Sequence, residues 1–271
     1  MICHTLQAHA VRFFAATGLS CLVIALTAGG AAAQFSGAGG SPRPPLPPKS
    51  AALIDVTGYW VSIVDEDWRW RMMTPPKGDY SSIPLNAEGR KVADTWDPAQ
   101  DEADGKQCKA YGAAGIMRVP TRLHMTWTDD DTLQIETDAG MQTRLLHFDG
   151  SKWQGGEPQW QGDSVAEWQR QRQSRGFVPQ FGPPVPGSGG TLKVVTTHMR
   201  PGYYRKNGIP YSGNARMIEY FDRIEEEGRS YLILTTVVED PQYLMEPFIT
   251  SEQFRLEPNA SKWNPQPCKA K

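Results

Sequence analysis

Tryptophan and arginine alternate over residues 68–71 of this 271-residue chain, which brings two indoles and two guanidiniums together. On a β-strand, successive side chains point to opposite faces, so Trp68 and Trp70 would share one face and Arg69 and Arg71 the other. The simplest interpretation puts the tryptophans in a core and the arginines in water. If the arginine face lines a polar interior instead, its cations would bind a carboxylate or a phenolate.

Acidic residues later in the chain are the natural counter-ions for such cations. Glu219 and Asp222 fall within 215–224, a segment that the sequence predicts to be a strand. Together with Arg69, Arg71 and Trp68 they are candidate ligand-binding residues. Paired carboxylates can also hydrolyse glycosides, but that chemistry depends on a separation that spacing in one sequence does not fix.

Three histidines follow the N-terminal region, and each lies in or just after a predicted strand: His124, His147 and His198. Three histidines can bind zinc. Neither a His-x-His spacing nor an adjacent carboxylate accompanies them, so the sequence predicts no metal site. His124 is instead a candidate general acid–base, assisted by Arg122 or Arg144 on a neighbouring strand, and His147 and Arg144 are candidate ligand-binding residues. If the barrel has a polar lumen, His124 would point into it.

A second cationic and aromatic segment spans residues 200–211, with the sequence RPGYYRKNGIPY. Tyr203 and Arg205 could bind an anionic or aromatic ligand through charge-assisted hydrogen bonds and stacking, and Tyr204 could act as an acid–base group. The simpler interpretation is a solvated hairpin loop that turns at Asn207 and Gly208.

Several function classes lack their signals in this sequence. The 28 basic and 30 acidic side chains give a formal charge of −2, which excludes the basic excess expected of a nucleic-acid-binding protein. No nucleophile elbow, glycine-rich phosphate loop or HExxH motif occurs, so the common hydrolase, kinase and zinc-protease classes lose support. No cofactor is expected.

The N-terminus has the parts of a secretory signal peptide. Arg12 precedes an uncharged run from Phe13 to Ala33 that ends in a small-residue Ala-x-Ala site, which predicts cleavage after residue 33. A membrane anchor is the alternative, since the run approaches spanning length. Residues 34–50 are Gly/Ser-rich and then Pro-rich, as is typical of a linker, and residues 51–271 would form one domain.

Two cysteines remain after the predicted cleavage, Cys108 and Cys268. Two cysteines in an exported chain most often pair, and such a bridge would join the C-terminal tail to the loop after an acidic segment. The alternative is a pair of free thiols. The expected location is the periplasm or the extracellular medium, with no transmembrane segment after processing.

The remaining pattern is that of a turn-rich β protein. Glycine (26) and proline (22) are abundant, and short alternating segments recur at 122–127, 132–137, 142–148, 191–197, 215–224, 229–238 and 248–256. Residues 56–72 read as a strand pair or one broken strand, and Asn86–Asp94 as a short helix capped by Asn86. The predicted fold is all-β, an antiparallel lipocalin-like barrel with one or two short helices, and a β-sandwich is the alternative.

Two resemblances accompany this pattern. Gly58-Tyr59-Trp60 opens the first predicted strand and resembles the G-x-W start of lipocalin-like barrels, which implies a tryptophan packed across the barrel base. The segments TLKVVTT (191–197), EYFDR (219–223) and VEDPQYLMEPF (238–248) resemble a group of exported bacterial proteins without an assigned activity. The first implies a barrel, the second an exported β-rich domain, and neither supplies a catalytic residue.

Three functions are compatible with these observations. The aromatic content favours an exported barrel, monomeric or dimeric, whose interior binds a small hydrophobic or aromatic compound, either neutral or anionic. A lyase, isomerase or hydratase on the same scaffold would use His124 or a tyrosine of 203–204 as acid–base, with Arg69 or Arg71 binding an oxyanion. A cell-envelope interaction module is the third, supported by the linker and by the loop at 177–190.

Overall fold

A closed barrel of nine strands forms the body of the protein. The computed structural model describes residues 45–150, 156–170 and 189–271. Around the barrel, each strand is hydrogen-bonded to its neighbours, and the last strand pairs again with the first. The expectation of an all-β barrel is confirmed, and the sandwich alternative is excluded by the closure.

In chain order the strands are β1 (Gly58–Ile63), β2 (Arg122–Trp127), β3 (Thr132–Thr137), β4 (Ala139–Gly140), β5 (Thr143–His147), β6 (Asp163–Arg170), β7 (Gly190–Thr197), β8 (Gly202–Arg205), β9 (Ile209–Tyr211), β10 (Arg216–Glu226), β11 (Arg229–Glu239), β12 (Phe248–Glu257) and β13 (Gln266–Pro267). The helices are α1 (Trp68–Met72), α2 (Ala87–Ala93), α3 (Pro98–Ala103) and α4 (Ala113–Ile116), and 3₁₀ turns cover Lys109–Tyr111 and Ala260–Lys262. The order around the barrel is β1, β12, β11, β10, β7, β6, β5, β3, β2; β4 pairs with β13, and β8 with β9.

Three N-terminal and loop predictions fall wholly or mostly outside these described residues. They are the signal peptide (1–33), the linker (34–50) and the loop at 177–190. The end of the linker is described, and it already contacts the barrel. The indole of Trp168 donates a hydrogen bond to the Pro48 carbonyl at 2.9 Å, and the Lys49 amide donates to the Asp130 carbonyl at 3.1 Å.

The barrel is not wholly antiparallel. β5 and β6 run parallel and pair over only two positions, Leu146 with Ser164 and His147 with Val165, while the other barrel pairs are antiparallel. β6 was not predicted from the sequence, because its buried positions include the small residues Ser164 and Ala166 while the apolar Val165 points outward, so hydrophobic alternation is weak.

Residues 68–72 form helix α1 and not the predicted strand. The chain leaves β1 through Asp67, which adopts a left-handed backbone conformation (φ 51°) and so ends the extended run. Tertiary contacts then hold the helix, since Arg71 donates a hydrogen bond to the Arg118 carbonyl at 2.9 Å. As a result Arg69 and Arg71 do not share a face: Arg71 is buried and Arg69 is exposed.

Four short α-helices occur in the described residues, against the one or two expected. The predicted helix at 86–94 is confirmed as α2, with the Asn86 side chain accepting a hydrogen bond from the Gly89 amide at 2.8 Å. Helix α3 lies in an acidic stretch of the chain, and its Asp101 is buried. No helix in the described ranges is both long enough and apolar enough to span a membrane.

Side chains fill the barrel interior. Inward residues of all nine barrel strands pack into one apolar cluster, which includes the fully buried Trp60 of β1, whose indole donates to the Val56 carbonyl at 2.9 Å. Its members on the strands include Leu123, Met125, Leu133, Ile135, Leu146, Val194, Phe221, Leu232, Leu234 and Phe254. A second cluster joins the barrel mouth to the helices and to the β8–β9 hairpin; it includes Tyr80, Ala113, Tyr204, Tyr211, Met217, Val238 and Phe248.

A polar layer separates the two clusters. On β10, Glu219 lies between Met217 of the mouth cluster and Phe221 of the barrel cluster, and on β12, Glu252 lies between Phe248 and Phe254 in the same way. A void of about 10 Å³ between α4 and the strands β11 and β12 has room for at most one water. Side chains of the two clusters and of this polar layer therefore occupy the described part of the barrel interior.

Candidate functional site

A cavity with a volume of about 360 Å³ lies at the barrel mouth. Its walls come from five places: the segment of α1 and the loop after it, α4 and its flanks, strand β4, strand β8 with the residue after it, and the C-terminal tail. The charged residues that line it are all cations: Arg71, Arg118, Arg205, Lys206 and Lys269. No acidic residue of the described chain lines the cavity, so its walls favour an anion.

Arg118 is the central cation of this site, and both of its charge partners are buried or nearly so. Its Nη1 lies 3.0 Å from Oε1 of Glu252 on β12, and its Nη2 lies 2.6 Å from Oδ2 of Asp67 at the start of α1. These pairs join the mouth of the barrel to α1. Burial raises the pKa of Glu252 and the Arg118 charge opposes that shift. Arg118 is therefore already neutralised by two carboxylates.

Arg71 and Arg205 have no such partner. Both are buried, and neither has a carboxylate within ion-pair distance among the described residues. Arg71 donates to the carbonyls of Arg118 and Glu66, and its Nη2 has no hydrogen-bond acceptor in the described structure. Burial lowers the pKa of Arg71, an effect that the negative charge of Glu252 opposes. A buried, unpaired cation costs several kcal/mol of folding free energy unless a ligand supplies the charge.

Arg205 projects from β8 and stacks on an aromatic ring. Its Nη2 donates to Ser82 Oγ at 2.9 Å and to the Ser81 carbonyl at 3.0 Å, while Nη1 has no acceptor in the described structure. The guanidinium lies 5.6 Å from the ring centroid of Trp70. Burial, together with the charge of Arg118, lowers the pKa of Arg205 to about 10. The charges of Asp67 and Asp79 oppose this shift, and the guanidinium stays charged at neutral pH although no carboxylate of the described chain lies within ion-pair distance.

Tyr204 is the one tyrosine of β8 that lines the cavity. Its hydroxyl is buried without a hydrogen-bond partner among the described residues, and its ring packs edge-on against Phe248 at 5.7 Å. Burial raises the pKa of Tyr204 well above its usual value, with the Asp240 charge adding to the shift. The phenol is therefore a hydrogen-bond donor at neutral pH and not a base.

Two lysines complete the cationic wall. Lys206 follows β8 and its Nζ lies 4.8 Å from the ring centroid of Tyr111. Lys269 belongs to the C-terminal tail and is exposed. Neither has an acidic partner within 4.0 Å in the described part of the chain. Both add positive charge at the open side of the cavity.

A disulfide fixes the C-terminal wall. Cys108 and Cys268 are bonded, with their Cα atoms 5.1 Å apart, as the sequence predicts. Beside the bridge, β13 pairs in parallel with β4, and the Lys269 amide donates to the Tyr111 hydroxyl at 3.4 Å. We call residues 263–270 the C-terminal strap. Gln266, Pro267 and Lys269 of the strap line the cavity.

The structure brings three of the sequence-predicted site residues to this cavity: Arg71, Tyr204 and Arg205. Arg69 stays outside, with its Nη2 3.9 Å from Asp79. Trp68 is not in a core, because 64% of it is exposed.

His124 is outside the barrel, which corrects the inward orientation predicted for it. Leu123 and Met125 are the inward residues of β2, so His124 points outward and stacks on Tyr59 with ring centroids 4.2 Å apart. Its Nδ1 lies 2.8 Å from a carboxylate oxygen of Glu136. His124 therefore does not face Arg71 or Tyr204, and it does not line the cavity.

Glu219 and Asp222 are not counter-ions of Arg69 or Arg71. Glu219 forms a bidentate pair with Arg144 inside the barrel, and Asp222 accepts a hydrogen bond from the Thr191 hydroxyl at 2.5 Å. The prediction that these carboxylates complete the arginine site is therefore wrong.

The other two candidates lie elsewhere. Tyr203 donates to Asp101 at 2.8 Å and accepts a hydrogen bond from Lys109 at 3.1 Å, and burial raises its pKa. His147 contacts the Thr132 hydroxyl at 3.2 Å and lines a separate polar groove of about 340 Å³ beside the β5–β6 pair.

Sequence reasoning missed Arg118, Met72, Met73 and Lys269 as site residues. Arg118 lies in a turn between two predicted elements, where no periodicity marks it. The lysine is brought into place by the disulfide, and the methionines by the helix that replaces the predicted strand. No cluster of three or more histidine, cysteine or acidic residues suited to a metal ion occurs in the described ranges. No protein-family model, curated protein or solved structure matches this chain.

Proposed function

We propose that this protein binds a small compound with an anionic group and an apolar or aromatic body in the mouth cavity. One observation carries the proposal: Arg71 and Arg205 are buried without a carboxylate partner in the wall of a cavity that no acidic residue of the described chain lines. An anionic group of the ligand would supply the missing charge. Arginine suits this role because its planar fork matches carboxylate, sulfonate and phosphate oxygens.

The rest of the wall supports an apolar body. The lining residues that offer aromatic or aliphatic surface include Trp70, Met72, Met73, Pro75, Val119 and Pro120. Methionine adapts to ligands of different shape. A volume of about 360 Å³ lies at the small end of the range for small-molecule sites.

Export is part of the proposal. The signal-peptide pattern of residues 1–33 favours it, and the disulfide between Cys108 and Cys268 is typical of an oxidising compartment. The protein would therefore bind its ligand in the periplasm or outside the cell.

The test compares an anion with its neutral analogue. Fluorescent anilinonaphthalene sulfonate serves as the reporter, and decanoate and decanol compete for it in separate titrations. We expect decanoate to displace the reporter at much lower concentration than decanol, because only the carboxylate can pair with the arginines. Equal displacement by the two compounds would contradict the proposal.

Variants locate the binding site. Arg205→Gln and Arg71→Gln should each weaken decanoate binding roughly tenfold or more, since a hydrogen bond to a charged group contributes about 1.5–3 kcal/mol. Neither should change the displacement by decanol. Arg216→Gln is the matched control, because Arg216 is an exposed arginine of β10 paired with Glu239 at 3.2 Å. Decanoate affinity that is the same in all three variants would place the anion elsewhere.

A further inference from the structure

A cationic and aromatic flap forms one rim of the mouth cavity. We define the flap as residues 68–77, with the sequence WRWRMMTPPK. It contains two tryptophans, two methionines and three cations, and no acidic residue. The flap consists of α1 and the loop that follows it, and the residue just before it, Asp67, forms an ion pair with Arg118. It is therefore attached to the barrel mouth by a buried ion pair.

The flap presents its apolar side chains to solvent. Trp68 is 64% exposed, Met72 is 59% exposed and Met73 is 75% exposed. Trp68 and Met72 are four residues apart on α1 and so share a helix face, with Met73 next to it. Arg71, between them on the same short helix, is instead buried. Large apolar side chains grouped in this way on a surface mark a site of interaction.

Cations border this apolar group on the cavity side, and the acidic residues next to the flap are Asp65, Glu66, Asp67 and Asp79, of which Asp79 lies 3.9 Å from Arg69. The Arg69 side chain is 70% exposed, and Lys77 is exposed at the end of the flap. Lys206 and Lys269 add charge at the cavity that the flap borders. Tryptophan and methionine beside arginine and lysine match the chemistry of an anionic bilayer surface, where indoles lie at headgroup depth and cations bind lipid phosphates.

We infer that the flap docks the cavity mouth on an anionic phospholipid membrane, with Trp68, Met72 and Met73 inserted at headgroup depth. The ligand is then an anionic amphiphile that passes between that membrane and the cavity. The exchange of ligand with the membrane rests on the proposed function, whereas the docking rests on the exposed side chains of the flap alone. Arg69 and Lys77 bind the phosphates, and the buried Arg71 and Arg205 bind the anionic group of the amphiphile.

Sedimentation with vesicles tests the docking. The exported form of the protein is mixed with vesicles of phosphatidylcholine alone or of phosphatidylcholine with phosphatidylglycerol. We expect the anionic vesicles to bind the protein at least roughly tenfold more tightly, and added salt to weaken that binding. A protein that stays in the supernatant with both kinds of vesicle would overturn the inference.

Two triple variants assign the binding to the flap. The combination Trp68→Ser, Arg69→Gln and Lys77→Gln changes flap residues that do not line the cavity, and it should weaken binding to anionic vesicles by about a hundredfold. The control combination Ile224→Ser, Arg216→Gln and Arg229→Gln removes the same kinds of side chain from exposed positions on β10 and β11. It should bind like the unaltered protein. Equal loss in both variants, or loss in neither, overturns the inference.

The soluble-ligand titration separates the two proposals. The flap variant should bind decanoate in solution as the unaltered protein does, because its three changed residues do not line the cavity. If decanoate does not bind but vesicle binding still depends on the flap, the proposed function fails and the docking stands. If decanoate binds but the flap does not affect vesicle binding, the docking fails and the proposed function stands.

Discussion

Arg144 and Glu219 form a bidentate ion pair across the inside of the barrel. Arg144 extends from β5 and Glu219 from β10, two strands that β6 and β7 separate around the barrel. The guanidinium also donates to Ser164 Oγ at 3.2 Å and to Thr196 Oγ1 at 2.7 Å, so each of its nitrogens has an acceptor. This satisfied pair is part of the layer that closes the lumen, in contrast to the unpaired arginines of the mouth cavity.

Removing one partner of this pair should destabilise the protein strongly. Glu219→Ala leaves the Arg144 charge buried and without a counter-ion, which should lower the free energy of unfolding by about 3–5 kcal/mol. The double change Arg144→Met with Glu219→Leu removes both charges and keeps apolar volume, so its loss should be much smaller. Urea unfolding of the two variants measures the difference. A double variant that is no more stable than Glu219→Ala would show that packing, and not charge, makes the contribution.

The strands of the barrel could be predicted because their inward and outward residues differ in polarity. At 122–127 the alternation gave both the strand and its buried residues, Leu123 and Met125. The four long strands from β7 to β12 were predicted to within two residues at each end for the same reason. Alternation does not show which face is inside, however. His124 was placed in a polar lumen, whereas the lumen is apolar there and the histidine is outside.

The candidate site could be predicted only in part, because contacts distant in sequence build it. Five residues at 68–72 fit a strand or a helix equally well, and the choice depends on Asp67 and on Arg118, which is 47 positions after Arg71. The pairing of Cys108 with Cys268 was predictable from chemistry alone. That pairing brings Lys269 to the cavity, which no local pattern indicates.

Tyr80 should make the protein less stable as the pH rises from 10 towards 12. Its hydroxyl donates to Asp94 Oδ1 at 2.6 Å, and burial together with this hydrogen bond raises the pKa of Tyr80 to about 12. A raised pKa in the folded state means that the folded protein holds this proton while the unfolded chain, with a pKa near 10, releases it. The contribution of Tyr80 is therefore complete below pH 10 and disappears as the pH passes 12.

Unfolding free energies of the unaltered protein and of Tyr80→Phe, measured from pH 8 to 12, test this assignment. The variant should be less stable at pH 8 by about 1 kcal/mol, the usual contribution of one hydrogen bond. The difference between the two proteins should shrink between pH 10 and 12. A constant difference over that range would mean that Tyr80 ionises at the same pH in the folded and unfolded states.

Gly208 should tolerate no side chain, whereas Gly228, in the turn between β10 and β11, should tolerate one at a small cost. Its φ is +84°, and an added Cβ would lie 2.2 Å from the Cβ of Trp96, too close for the folded backbone to accept. Gly228 also has a positive φ of +72°, but nothing lies within 4 Å of its added Cβ. Gly228→Ala should therefore cost about 1 kcal/mol for the backbone conformation alone.

Gly208→Ala should cost several kcal/mol, because it adds the steric clash to the same backbone penalty. Thermal or urea unfolding of the two alanine variants measures both effects. The same two variants also test ligand binding, because Gly208 follows shortly after Arg205 and Lys206, which line the cavity. We expect Gly208→Ala to weaken decanoate binding and Gly228→Ala to leave it unchanged. Equal stability of the two variants would show that Trp96 can move aside.

Breaking the disulfide should affect stability and ligand binding together. The bridge closes a loop of 160 positions, and the chain-entropy model gives about 4–5 kcal/mol for a loop of that length. It also holds the C-terminal strap, which supplies Gln266, Pro267 and Lys269 to the cavity wall. The variant Cys108→Ser with Cys268→Ser should unfold at a lower urea concentration. In the absence of urea it should stay folded by circular dichroism but bind decanoate several-fold more weakly.

The variant Lys269→Gln with the bridge intact is the control that separates the lysine charge from the position of the strap. It should cause a smaller loss of decanoate affinity and no loss of stability. Unchanged decanoate affinity in the folded double-serine variant would mean that the strap keeps its place without the bridge, through the β4–β13 pair alone.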